Sequence, residues 1–190
     1  MIDNLVAFIE LGFRHILPLG LDHILFIVAI FLNARGWASL LLQATTFTVA
    51  HTITLGLAAA GLVHAPAELV EPLIALSIAV LAVEAIVFEK ANVWRLPVIF
   101  GFGLFHGLGF GELMKAYLTN ADFAIGLAGF TIGVELGQLA VLASAAIVAL
   151  AVRFILKAAN KPQLYRPAFV QPAAGVIALV GLYWTIERLG

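Results

Sequence analysis

Long apolar stretches alternate with short polar breaks along the whole chain. Six stretches approach or exceed the roughly 20 apolar residues that a helix needs to cross a hydrocarbon core, although the first is short unless the residues before it contribute. They cover residues 19–32, 37–63, 69–88, 94–118, 122–156 and 168–187. Charged residues, asparagine, glycine and proline occupy the breaks, as expected at membrane surfaces. The pattern predicts an all-α fold, a polytopic bundle of six transmembrane helices.

The first 17 residues have a different pattern. Their apolar side is interrupted by Asp3, Glu10 and Arg14, and Pro18 follows. We therefore predict an amphipathic helix over residues 1–17 that is interfacial or partly inserted. Since we find no repeat or second domain, residues 1–190 are predicted to form a single transmembrane domain.

Composition strengthens the prediction of a membrane protein. Of the 190 residues, 63% are hydrophobic and 11% are charged, and the mean hydropathy is +1.10. A soluble domain is roughly half apolar and a quarter charged, and a chain this short cannot hide such an apolar excess in one core. A soluble globular enzyme is therefore excluded. The net charge of −1 offers no basic face for nucleic acid, and the lack of cysteine excludes disulfides, thiolate metal sites and a cysteine nucleophile.

The basic residues predict an orientation in the membrane. Seven of the ten lie in or near the breaks that follow the first, third and fifth stretches. These seven are Arg35, Lys90, Arg95, Arg153, Lys157, Lys161 and Arg166. Because cytoplasmic loops carry the excess of lysine and arginine, we predict a multi-pass protein of the inner (cytoplasmic) membrane with both termini on the outer side.

Ionisable residues at membrane depth are few and collect in the outer-to-middle layer of the predicted bundle. They are Asp22, His23, His51, His106 and Glu135, and His15 shortly precedes the first of them. Each needs a partner or a task, since burial in the membrane costs on the order of several kcal/mol. Taken singly, an intramembrane histidine is more often an interhelical hydrogen-bonding group than a ligand, and Asp22 could cap its helix. Taken together, imidazoles and carboxylates at one depth predict a nitrogen–oxygen site for a divalent transition metal.

Residues around these candidates are arranged to support such a site. Two helix faces combine a candidate ligand with polar neighbours, Thr131, Glu135 and Gln138 on one face and Thr48, His51 and Thr52 on the other. We predict that Thr48 and Gln138 lie just outside the ligands, where the threonine would orient the His51 ring or bond the backbone. Glycines surround His106 and recur at positions 126, 129, 133 and 137, where helices can approach closely within or between chains.

Four sequence blocks resemble the motifs of a known family. In chain order they are GFRHILPLGLDHILFIVAIF, TTFTVAHTITL, FGFGLFHGLGF and FTIGVELGQLAVL. Over residues 12–142 the chain is similar to the HupE/UreJ family of hydrogenase- and urease-associated membrane proteins. His15 is followed by Ile16 and Leu17, whereas the hydrogenase-linked branch has proline directly after that histidine. The resemblance is therefore to a broader branch of the family.

The resemblance implies a nickel, or nickel and cobalt, permease that feeds metalloenzyme maturation. The family's motif residues match His15, Asp22, His23, His51, His106, Glu135 and Gln138. The leading hypothesis is a permease whose bound ion is nickel, cobalt or zinc. Two alternatives stay open: an intramembrane zinc-dependent hydrolase with Glu135 as general base, and a metal-binding membrane subunit that transports nothing. Besides the ion and the bilayer, the partners left open are a second copy of the chain and proteins of metalloenzyme maturation.

Overall fold

The chain is helical throughout its described part. The computed structural model describes residues 2–89, 94–118 and 123–190. Its α-helices are α1 (Ile2–Ile16), α2 (Leu21–Leu32), α3 (Trp37–Ala59), α4 (Ala67–Val87), α5 (Arg95–Tyr117), α6 (Phe123–Ala158) and α7 (Gln171–Glu187). A 3₁₀ turn at Pro162–Leu164 and a π-helical turn at Arg166–Val170 lead into α7. No strand occurs in these ranges, so the predicted all-α class is confirmed.

Fewer helices are long and apolar enough to cross a membrane than the six predicted. Within the described ranges there are four, namely α3, α4, α6 and the continuous stretch Pro162–Glu187. A fifth results if Asn4–Ile16 and α2, bent by 70° at a short break, count as one broken span. The helix α5 is as long as α3, but glycines, His106 and charged residues dilute its apolar side chains. A helical bundle with membrane-length helices is confirmed, whereas the count of six is not.

The N-terminal helix α1 packs lengthwise on α6. A Cβ atom added at Gly133 would meet the backbone carbonyl of Ile9, and one at Gly137 would meet the side chain of Ile16 at 2.7 Å. Glycine at both positions lets the two backbones approach this closely. The end of α1 therefore lies about four turns into α6, counted from Phe123 at 3.6 residues per turn. Whether this helix is interfacial or partly inserted stays a prediction.

Glycines set a second close helix pair, between α3 and α5. Gly103, Gly107 and Gly111 recur every four residues and so share one face of α5. A Cβ atom at Gly107 would meet the backbone carbonyl of His51, so the two helices touch at this candidate ligand. Gly181 has the same role between α7 and α4. The closest helix contacts of the bundle thus run through positions where any side chain would push the helices apart.

The bundle has two ends of different chemistry. We call one the basic end, because it carries Arg35, Arg95, Arg153 and Arg166, with Lys157 and Lys161 following on the chain. We call the other the cavity end, which carries Arg14, Asp22, Glu71 and Arg188 around an open cavity. The basic residues of three separate breaks therefore do gather at one end; Lys90 lies outside the described residues. That the basic end faces the cytoplasm stays a prediction.

Candidate metal site

Three histidines from three helices meet in the interior of the bundle. His15 ends α1, His23 lies in the first turn of α2, and His51 lies in the second half of α3. One ring nitrogen from each lies within 4.8 Å of the other two. His51 is fully buried, His23 nearly so and His15 half-buried. We call these three residues the histidine cluster.

The bend between α1 and α2 brings two of these histidines together. Pro18 lacks a backbone N–H group and cannot continue α1, and residues 17–20 turn the chain by 70°. Gly20 makes this turn compact, because a Cβ atom there would meet the backbone carbonyl of His15. The His15 and His23 ring centroids are consequently 4.6 Å apart, although an unbent helix would separate these residues by about two turns.

His106 is a fourth imidazole beside the cluster. Its ring centroid lies 5.0 Å from that of His23. Its Nδ1 atom is 2.9 Å from the backbone carbonyl of Phe102, an acceptor, so Nδ1 must carry the proton and Nε2 is left with a free lone pair. A fixed tautomer of this kind is typical of histidines that ligate metals through the other nitrogen.

The cluster nitrogens lack hydrogen-bond partners within the described part of the chain. The buried atoms in question are Nε2 of His15, His23 and His106, and both ring nitrogens of His51. A buried polar atom without a partner costs about 1–3 kcal/mol, so four such residues at one place are expensive. Imidazole nitrogens are ligands for nickel, cobalt and zinc, and an ion bound among them would satisfy these atoms. The donor set therefore fits a transition metal ion.

Phenylalanine rings enclose the imidazoles. Phe110 lies 4.1 Å from His15 and Phe47 lies 4.9 Å from His106, measured between ring centroids. Phe26 and Phe130 complete the enclosure and are themselves fully buried. An apolar wall lowers the local dielectric, which strengthens the attraction of ligands for an ion and disfavours charged imidazole.

Asp22 is not brought into the histidine cluster. Its carboxylate accepts hydrogen bonds from both terminal nitrogens of Arg188, at 3.0 and 3.3 Å. Arg188 also lies 3.3 Å from the backbone carbonyl of Glu71, to which it donates. The predicted ligand therefore has a tethered cation as its partner, although it directly precedes His23.

Glu135, Thr48 and Gln138 also lie apart from the cluster, in a polar seam between α3 and α6. Thr45 donates to the Glu135 carboxylate at 2.7 Å, and Gln138 Nε2 donates to the Thr48 hydroxyl at 2.8 Å. Thr48 itself donates to the carbonyl of Ala44, one turn back. Of the two roles predicted for Thr48, the bond to the backbone is the one observed, and no Thr48 contact with the His51 ring is found among the described side chains.

An open cavity of about 760 Å³ leads from the cavity end to three of the four histidines. Its polar lining includes His15, His23, His106, Asp22 and Arg188. Arg188 is one of the three basic residues outside the breaks that predict the orientation, and its position in the sequence does not connect it with Asp22. No signal in the sequence links two residues 166 positions apart.

Fold and site together define a class, the helical membrane proteins with a buried imidazole site between their helices. The chain belongs to the HupE/UreJ family, whose model, described as "HupE / UreJ protein", matches residues 1–188. The resemblance seen in the four sequence blocks is thereby confirmed and extends over nearly the whole chain. Neither the curated proteins nor the solved structures gave a match. Membership implies metal-ion handling of the nickel- or cobalt-transport kind.

Proposed function

We propose that this protein is a permease for nickel or cobalt ions and that the histidine cluster is its binding site. The observation that carries the proposal is the convergence of His15, His23 and His51 from three helices, with ligand atoms within 4.8 Å of one another. Nitrogens bound to one ion at about 2.1 Å lie roughly 3–4 Å apart, so only a small inward shift closes the site. His106 supplies a fourth nitrogen, and Asp22 and Glu135 stay predicted ligands that a bound state would have to recruit.

A polar route on both sides of the cluster supports transport over static binding. The cavity gives ions access from the cavity end. Towards the basic end, Gln138, Gln43 and Asn33 are each at most 2% exposed. The side-chain oxygen of each has no hydrogen-bond partner among the described residues. These amide oxygens between the cluster and the basic end could bind an ion that leaves the cluster, and a permeation path requires such polar groups.

The hydrolase alternative gains no support from this geometry. A general base must lie within hydrogen-bond reach of the water that the metal activates. Oε1 of Glu135 instead accepts from Thr45, six positions before His51 on α3, and Glu135 does not belong to the cluster, although its Oε2 has no partner among the described residues. The geometry therefore favours transport over hydrolysis.

Ion uptake into proteoliposomes tests the proposal. Purified protein is reconstituted, nickel or cobalt is added outside, and the ion inside is measured by mass spectrometry after the external ion is removed. We expect the wild type to take up more ion than protein-free vesicles. His51→Ala should reduce uptake by at least about tenfold, since even the loss of a residue that only orients a metal ligand lowers metal affinity by this much. His64→Ala, in the loop after α3, is the matched control and should transport like the wild type.

Binding measured on the same samples separates the alternatives. Nickel that binds near-stoichiometrically but never enters vesicles would identify a metal-binding subunit that transports nothing. Uptake by His51→Ala at the wild-type rate would remove the cluster from the pathway and overturn the proposal.

A further inference from the structure

A second cavity lies at the basic end, far from the histidines. Its volume is about 690 Å³, and it is bordered by the end of α2, the start of α3, the end of α4 and the last third of α6. Arg35, Arg153 and Glu89 provide its charges, and Trp37 and Tyr165 its aromatic rings. The remaining lining is largely apolar, from residues such as Leu40 and Leu150.

The two arginines of this cavity are available to a ligand. Both are exposed, and the Arg153 guanidinium is held over the Tyr165 ring at 4.3 Å from its centroid. That contact fixes the arginine while leaving its N–H groups free to donate at the edges of its plane. By contrast, Arg95 and Arg166 at the same end donate to backbone carbonyls. Charge in the cavity is net positive, because two arginines face one glutamate.

An apolar groove adjoins this cavity. It has a volume of about 380 Å³ and lies between α2, α6 and α7, and the only polar side chain in its lining is that of Ser144. Phe31 and Leu32 line both the groove and the cavity. On α6, Ala145 and Val148 line the groove while their direct neighbours Ala146 and Ala149 line the cavity, so the two spaces lie side by side.

We propose that these two spaces form a binding site for an anionic phospholipid. The phosphate would accept from Arg35 and Arg153, Trp37 and Tyr165 would lie at the level of the glycerol backbone, and an acyl chain would occupy the groove. Arginine forks match phosphate oxygens, and tryptophan and tyrosine favour the membrane interface. A soluble anion would leave the apolar groove unused, so the shape of the site favours a lipid.

Glu89 allows a test in which two kinds of substitution should change the lipid preference in opposite directions. An arginine near the surface contributes about 1 kcal/mol towards an anionic lipid, which corresponds to about a fivefold preference for one net charge. Removing Glu89 should therefore raise the preference for an anionic lipid, and removing the arginines should abolish it.

Native mass spectrometry of the detergent-solubilised full chain measures this preference. The protein is titrated with dioleoylphosphatidylglycerol or dioleoylphosphatidylcholine, which share acyl chains and differ in charge. We expect the wild type to bind phosphatidylglycerol about fivefold more strongly, Arg35→Gln/Arg153→Gln to bind phosphatidylglycerol no more strongly than phosphatidylcholine, and Glu89→Gln to widen the difference. Lys115→Gln removes one positive charge at the other end and should behave like the wild type.

Each other outcome counts against the site. Equal binding of the two lipids by the wild type, or an unchanged preference in the double arginine variant, would overturn it. Full competition by millimolar inorganic phosphate would show that the cavity holds a soluble anion and that the groove plays no part. Arg35 and Arg153 are exposed, so the double variant is expected to fold.

Discussion

The arginines that cap helices at the basic end and the histidines reached from the cavity end differ in how far their hydrogen bonds are satisfied. At the basic end, Arg95 is buried, donates to the Ala29 carbonyl at 3.3 Å and lies 3.4 Å from the Glu84 carboxylate. Arg166 donates to the Phe88 carbonyl at 2.8 Å and to two further carbonyls at the end of α4. These arginines satisfy the carbonyls that α2 and α4 leave without partners at their C-terminal ends. Towards the cavity end, by contrast, four histidines keep buried nitrogens that have no partner among the described residues.

The difference separates side chains that hold the fold from side chains that are available to a ligand. A basic residue that caps a helix has its hydrogen bonds made, and its removal should lower stability. A histidine whose nitrogen has no partner contributes packing but no hydrogen bond to stability, and its removal should weaken metal binding beyond any loss of stability. The count of basic residues that predicts orientation mixes both kinds, since Arg95 and Arg166 are caps whereas Arg35 and Arg153 are exposed.

Arg95→Gln should produce the largest effect, a loss of stability at the basic end. The change leaves the half-buried Glu84 carboxylate without its cation and the end of α2 without its cap. Breaking a buried ion pair in this way costs about 3–5 kcal/mol. We expect a large fall in the unfolding midpoint of the detergent-solubilised protein, measured by denaturant titration. The exposed Arg35→Gln at the same end is the control and should stay within about 0.5 kcal/mol of the wild type.

Metal binding in the same variants sharpens the comparison. The folded fraction of Arg95→Gln should bind nickel like the wild type, while the folded fraction of His51→Ala should lose nickel binding. If instead Arg95→Gln were as stable as Arg35→Gln, the arginine cap would not hold this end of the bundle.

Gly107→Ala should have the next largest effect, at the contact between α3 and α5. The added methyl group would meet the His51 carbonyl and the Thr54 hydroxyl, so the helices must separate where the cluster is built. Overpacking of this kind costs about 1–3 kcal/mol, and we expect weaker nickel binding in equilibrium dialysis as His51 moves away.

Gly101→Ala is the matched control on the same helix. No atom lies within 4 Å of its added methyl group, so the substitution should leave nickel binding unchanged and stability equal or higher. Equal behaviour of the two alanine variants would mean that the close approach at Gly107 is not needed to place His51.

Much of the candidate site could be predicted from the sequence. Membrane depth alone predicts that His23, His51 and His106 lie together. A helix rises by a constant distance per residue, so the position of a residue within a span gives its depth in the membrane. His15 is different, since it reaches the cluster only because the chain bends by 70° after α1. The partners of Asp22 and Glu135 could not be predicted, because they depend on which faces of distant helices meet. Arg188 and Thr45 lie 166 and 90 positions away from them, respectively.

The length of the spans shows a second limit of the sequence pattern. The predicted stretch 37–63 includes an apolar end, residues 60–63, that the helix does not use, since α3 ends at Ala59 and Gly61 adopts a φ of +73°. A left-handed glycine ends a helix regardless of how apolar the next residues are. Hydropathy averages over such a turn, whereas the backbone conformation at one residue decides where the helix stops.

Arg188→Gln should have the smallest of these effects and tests the cavity end directly. Arg188 is the tethered cation that pairs with Asp22 at 3.0 Å, next to His23. Removing its charge leaves the Asp22 carboxylate free to attract a divalent cation. We expect nickel to bind about threefold to tenfold more tightly at low salt, with a smaller gain at high salt, because part of the pair is exposed to solvent and screening. Isothermal titration calorimetry at two salt concentrations measures the nickel affinity of each variant under both conditions.

Two further variants decide what the tighter binding means. Arg188→Lys keeps the cation and should bind nickel like the wild type, so that a gain in it would point to lost packing and not to lost charge. Asp22→Asn removes the carboxylate that Arg188 neutralises, and in its background Arg188→Gln should change nickel affinity little, since the two residues then have no pair to break. If Arg188→Gln weakened nickel binding instead, Arg188 would be positioning Asp22 for the ion. The contrast between side chains that hold the fold and side chains that are available to a ligand would then fail at this residue.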